Sequence, residues 1–185
     1  MYNYCLNKNV LNINDIKMPI AIPAVNLCDE KTYVFLNRKV NRLLEKNIEY
    51  KYTGSVSEIV RASTSLPAFF YPKIMDNKIF VDGGISLNTP VSILKEMGAD
   101  KVIAVSFSET PEFTNNYNIF NVTLKAFEIM GQNINENEIN KADFKILPKV
   151  KNGYLLDCSQ IFYYYNQGYV ETKRKLEELK KILMS

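Results

Sequence analysis

The chain has 185 residues, 46% hydrophobic and 23% charged, which suits one folded domain with a core of its own. A formal net charge of +3, with no dense lysine or arginine block, argues against a nucleic-acid partner. The sequence contains no histidine, so neither a Ser-His-Asp triad nor an HExxH zinc site can be built from this chain alone. Acid–base work therefore falls to carboxylates, lysines or tyrosines.

The longest apolar stretch, Met18 to Leu27, is broken by Pro19 and Pro23 and is far short of a membrane span. Asn, Lys and Asp interrupt the first fifteen residues, so no signal peptide is expected. Cys5, Cys28 and Cys158 are widely spaced and form no CxxC pair or disulfide framework. A reducing, cytoplasmic compartment is the expectation, with peripheral membrane contact left open.

In chain order, residues 1–17 are polar and asparagine-rich and read as irregular. Pro19 to Val25 reads as a buried extended segment, and Thr32 to Leu36 as a strand by its β-branched and aromatic content. Residues 38–50 are charged and read as a solvated helix. Ser55 to Glu58 has the form of a capping box opening a helix through Ile59, Val60 and Ala62 that stops before Pro67. Lys73 to Met75 and Lys78 to Val81 flank Asp76 and Asn77, a hairpin turn. Thr89 and Pro90 open the next helix, as N-cap and first helical residue, and Gly98 closes it.

Lys101 to Phe107 reads as a compact buried strand, so that strand, helix and strand form a crossover unit of an α/β sheet. Ile119, Phe120, Leu124, Phe127 and Met130 repeat at helical spacing within a helix from about Tyr117 to Met130. Phe144 to Leu147 is another short strand. The last element is an amphipathic helix from about Gln167 to Leu183, with Leu176, Leu179 and Leu183 inward. The chain reads as one unit over 1–185, with no repeat and no linker.

The chemistry concentrates at residues 61–107. The segment Arg61 to Pro72, Asp82-Gly83-Gly84 after a strand, and Asn88-Thr89-Pro90 just beyond it form an ordered set with fixed spacing. This set resembles the patatin-like phospholipase family of lipid acyl hydrolases, most closely from about residue 56 on. Ala142 to Pro148 and the last helix with Gly168 resemble the family's closing segments. The resemblance implies a three-layer α/β/α fold with a mostly parallel sheet, of which this chain supplies the C-terminal portion. It also implies a Ser–Asp dyad in which Asp82 is the general base and proton acceptor, with Gly83, Gly84, Asn88 and Pro90 as supporting motif positions.

That role suits the residue types. A serine hydroxyl is a poor nucleophile until a base takes its proton. Without histidine, a carboxylate at a strand end must do so within hydrogen-bond reach. Glycines at 83 and 84 are expected to let the backbone turn sharply and to leave room beside the base. The bland alternative for the tripeptide alone is a tight turn between strand and helix.

The family's glycine-rich oxyanion loop and G-x-S-x-G elbow are absent from these 185 residues, so no nucleophile is assigned. Gly84 to Asn88 imitates the elbow but lacks its final glycine, and Ser86 lies only four residues from Asp82. Ser55 and Ser57 belong to the expected capping box. Ser63 and Ser65 are assigned local bonding at a helix end, and Arg61 a structural ion pair rather than an anion site. The run Tyr163-Tyr164-Tyr165 is assigned to core and rim packing, with lipid-headgroup contact as the alternative.

Neither a cofactor nor a metal is expected. The expected partners are a lipid or phospholipid ester, together with a missing N-terminal half or a second copy of the chain. The isolated chain is expected to be inactive. The competing function is a non-catalytic lipid-binding or regulatory remnant of the same fold.

Overall fold

A computed structural model describes residues 2–40, 47–107, 118–150 and 158–184. After a short helix α1 (Tyr2–Asn7) come strands β1 (Ala21–Asn26), β2 (Lys31–Leu36) and β3 (Ile48–Lys51), then α2 (Val56–Ser63), β4 (Lys73–Met75) and β5 (Lys78–Asp82). There follow α3 (Val91–Glu96), β6 (Ile103–Val105), α4 (Ile119–Ile139), β7 (Phe144–Ile146), α5 (Ile161–Arg174) and α6 (Leu176–Met184).

The class is α/β. The main sheet runs β3-β2-β1-β5-β4, and β6 pairs with β7 in a separate parallel ribbon. Strand β2 shows why the main sheet is covered on both sides. Tyr33 and Phe35 join Ala24, Phe80 and the α2 residues Val56, Ile59 and Ala62 in one core cluster. Val34 and Leu36, pointing the other way by the period-two rule, pack on Ile93 of α3. Helices on both faces of one sheet give the expected layering.

The main sheet is mixed rather than mostly parallel. β1 pairs antiparallel with β2 and β5, and β4 antiparallel with β5, while β2 and β3 run parallel. Connection length is the cause. Only residues 27–30 separate β1 from β2, and only Asp76 and Asn77 separate β4 from β5. Links this short admit hairpins, because a parallel crossover needs a dozen residues or more. Asp76 and Asn77 both have positive φ (51° and 58°), the backbone of the tightest hairpin turns.

Several local expectations change. Residues 2–7 are helical rather than irregular. Within the expected 38–50 helix, residues 41–46 lie outside the described set and Ile48 onward is strand β3. Ser55 is the N-cap of α2, but its hydroxyl bonds Ser57 and Glu58 pairs with Lys73 at 2.8 Å, so the capping box does not form. Asn12 and Asp15 make a capping box instead, on the short turn Ile13–Asp15. Helix α3 starts one residue late, with Pro90 as its N-cap.

Strand β6 is buried on one face only. Val102 and Ala104 are inward, whereas Ile103, Val105 and Phe107 are exposed. The expected last helix is two helices, and Leu176 and Leu183 are exposed rather than inward. Helix α4 is tied down at its C-terminal half. Glu138 accepts from the Ser92 backbone N–H and hydroxyl, both at 2.8 Å, and buried Asn135 donates to Ser106 at 3.0 Å. No helix of the described residues is long and apolar enough to cross a membrane.

Candidate active site

Asp82 is the last residue of β5, next to the sheet's centre, where its backbone pairs with Ala24 of β1. Its N–H donates to the Ser65 carbonyl at 3.0 Å, so the residue is fixed from the α2 side as well. The chain then turns through a 3-10 turn, Gly83–Ile85, which Asp82 caps. Its Oδ1 accepts from the Gly84 N–H at 2.7 Å. Among the described residues, nothing bonds Oδ2 and no cation pairs with the carboxylate. Burial pushes this carboxyl above its usual range, against the opposing pull of the Gly84 N–H. A half-buried carboxylate of raised basicity, held by one oxygen, is equipped to take a proton with the other.

The glycines serve close approach rather than a sharp turn, since neither Gly83 nor Gly84 has positive φ. A Cβ on Gly83 would lie 2.4 Å from the Pro23 carbonyl oxygen and 2.7 Å from its carbon. A Cβ on Gly84 would lie 3.0 Å from Asp82 Oδ1 and 3.3 Å from Asn88 Oδ1. Asn88 thus stands against the same small space as the carboxylate, and Pro90 starts the helix behind it. Gly131 of α4 closes the far side, where a Cβ would come within 3.9 Å of the Gly84 carbonyl.

The serines fall elsewhere. Ser86 shares a 2.7 Å hydrogen bond with Thr32, a partner on β2 that its position in the sequence did not reveal. Ser65 is fully buried, and its hydroxyl donates to the Arg61 carbonyl at 2.6 Å. Arg61 makes no ion pair among the described residues. It donates to Ser65 Oγ at 2.5 Å and to the Tyr71 carbonyl at 3.0 Å, and covers the Phe70 ring. Arg61 therefore braces the segment that carries the Ser65 carbonyl on which Asp82 hangs. Two other supports were missed. The Pro23 carbonyl wall behind Gly83 and the Ser65 anchor are both backbone groups, which side-chain motifs do not reveal.

The tyrosine run lies in the first turn of α5, with Tyr163 and Tyr164 half-buried and Tyr165 exposed and stacked on Tyr169. Among the described residues no cluster of three or more His, Cys, Asp or Glu could hold a metal.

The strand end, the 3-10 turn and the Asn88–Pro90 entry into α3 all fall within one further correspondence. The model of the Patatin-like phospholipase family matches residues 10–95. The match runs from before β1 into α3 and contains Ser65, Asp82, Gly83, Gly84, Asn88 and Pro90, but not Gly131. Residues 96–185 lie beyond it, and with them the Ala142 to Pro148 segment and Gly168. The family to which this region is similar acts on lipid substrates, so the match points to lipid acyl hydrolysis.

Proposed function

We propose that this chain carries the proton-accepting half of a lipid acyl hydrolase site. A serine from outside these 185 residues would attack the ester carbonyl of a lipid or phospholipid. Asp82 would take the serine proton through Oδ2 and pass it to the leaving alcohol as the acyl-enzyme forms. It would then take a proton from water as the oxygen attacks the acyl-enzyme, and return that proton to the departing serine oxygen as the fatty acid is released. The developing oxyanion would be held by amides that also come from outside this sequence.

The observation that carries this reading is the carboxylate itself. It is half-buried, raised in basicity, fixed by Gly84 and Ser65, and set in the region similar to the phospholipase family. Ser86 is left without a nucleophilic role because Thr32 holds it. The test is hydrolysis of short-chain nitrophenyl esters and phospholipid by the isolated chain. Activity no higher than background is expected. Turnover that survives purification and disappears in Ser86→Ala would contradict the reading and make Ser86 the nucleophile.

A second reading, a lipid-binding module, is favoured by the outward aromatic face of α5. Phe162, Tyr165 and Tyr169 are exposed, and Lys173 lies over the Tyr169 ring at 5.8 Å. Aromatic residues with a cation beside them suit the lipid–water interface. Sedimentation with anionic vesicles tests it, and binding indifferent to Phe162→Ala would count against it.

A further inference from the structure

Strand β4 accompanies β5 only as far as the pair Lys73 and Phe80. Further along β5, the Asp82 N–H meets the Ser65 carbonyl at 3.0 Å in place of a strand partner. What fixes Ser65 therefore fixes one flank of Asp82. Ser65 is fully buried and its hydroxyl is engaged twice, donating to the Arg61 carbonyl at 2.6 Å and accepting from Arg61 Nη1 at 2.5 Å. Nη2 of the same guanidinium reaches the Tyr71 carbonyl at 3.0 Å. One planar fork thus joins both ends of the loop 66–70 between α2 and β4. That loop contains Ala68 at φ 68°, a left-handed backbone that an alanine keeps only where its surroundings impose it. Every side-chain hydrogen bond and ring contact of Arg61 among the described residues goes to this segment, to Ser65, Phe70 and Tyr71.

We propose that Arg61 is a positioning residue for Asp82: its guanidinium clamps the two ends of the 66–70 loop, holds the Ser65 carbonyl on the Asp82 N–H, and so keeps the Asp82 carboxylate in its half-buried setting. The catalytic meaning of this clamp rests on the reading of Asp82 as the base, but the clamp itself belongs to the chain as it stands. Geometry rather than charge is what the position demands. A lysine keeps the charge, yet its compact ammonium lacks the rigid fork that spans two acceptors. A direct effect of charge would also have the opposite sign. Loss of a nearby cation raises a carboxyl, whereas loss of the clamp admits water to the carboxylate and lowers it.

An NMR titration of the Asp82 carboxyl in the isolated chain tests this, with isotope-labelled aspartate and Asp82→Asn to assign the signal. Arg61→Lys and Arg61→Gln should both stay folded and move the carboxyl down toward the ordinary aspartate range. Ser65→Ala removes one partner of the fork and leaves the carbonyl, and should move it the same way. Asn37→Ala removes three bonds to the segment before β1, so it weakens the chain away from the site and should leave the titration in place. In a chain complemented with a G-x-S-x-G segment, Arg61→Lys should lower kcat at least about tenfold and change KM less than about threefold, because misplacement of the base acts on the transition state. If complementation gives no activity that depends on Asp82, the hydrolase reading fails while the titration still decides the clamp. A carboxyl that titrates unchanged in folded Arg61→Lys, that moves up in Arg61→Gln, or that moves equally in Asn37→Ala would overturn the proposal, as would parental kcat in complemented Arg61→Lys. So would loss of the fold in Arg61→Lys, because a clamp confined to one loop does not hold up the sheet.

Discussion

The Gly84 backbone N–H donates to Asp82 Oδ1 at 2.7 Å, so the carboxylate is oriented by the turn that follows it in sequence. An asparagine at 82 keeps that acceptor and loses the charge. Burial is the main cause that raises the Asp82 carboxyl, so the folded state binds its proton more tightly than the unfolded chain does. The stability this group contributes is fully present below the unfolded aspartate range and is lost as pH rises through the folded value. Asp82→Asn should therefore match the parent at about pH 3 and be at least as stable at about pH 7. Urea denaturation at both pH values checks this, and a variant less stable than the parent at neutral pH would contradict it.

Glu138 should show the opposite pH signature. Burial pushes its carboxyl up, but the bonds from Lys141 and Ser92 outweigh burial and hold it below the usual range. Its stabilisation is present above the unfolded glutamate value and is lost as pH falls through the lowered folded one. Glu138→Gln should cost about 1–2 kcal/mol at neutral pH, where charged hydrogen bonds to α3 are lost. The cost should shrink as the pH falls below the glutamate range, which paired denaturation curves would reveal.

The two glycines beside Asp82 should separate stability from chemistry. Gly83→Ala drives a methyl into the backbone carbonyl of Pro23, which the central strand β1 holds in place. A loss of about 2–3 kcal/mol is expected, the upper part of the overpacking range. Gly84→Ala meets only the side-chain oxygens of Asp82 and Asn88, which can yield by a few tenths of an ångström. It should cost less than about 1.5 kcal/mol. In a complemented enzyme, however, it should lower kcat more than it raises KM, because the displaced oxygen belongs to the proposed base. Denaturation midpoints and steady-state kinetics of the two variants decide the point.

Ser86→Ala removes the hydroxyl pair with Thr32 and should cost about 0.5–1.5 kcal/mol, the net worth of one such bond. Activity in a complemented enzyme should stay within about threefold of the parent, since an uninvolved hydroxyl contributes nothing to the transition state.

Much of the region around Asp82 was legible in the sequence because local chemistry decides it. Asp76 and Asn77 announced their hairpin, Gly98 its helix end, and Asp82-Gly83-Gly84 the strand end and turn. What escaped was set by contacts distant in sequence. Glu58 bonds Lys73 rather than closing a capping box. The strand, helix and strand around Asp82 were expected to form a crossover unit, but β6 pairs with β7 in a separate sheet. Gly83 is required by the Pro23 carbonyl sixty residues earlier, and that steric need leaves no trace in a local motif. The outward faces of Val105 and Phe162 escaped for a related reason, since an apolar residue in a strand or helix signals burial but not what covers it.

The central claim is that Asp82 is the proton acceptor for ester hydrolysis. Its most direct measurement is phospholipid hydrolysis by the chain supplied with a G-x-S-x-G-bearing segment, in cis or as a second polypeptide, with and without Asp82→Asn. The account predicts at least about a hundredfold loss of kcat in the variant, the low end for removing a positioned general base, with an unchanged circular dichroism spectrum. Near-normal turnover by the folded variant would contradict it.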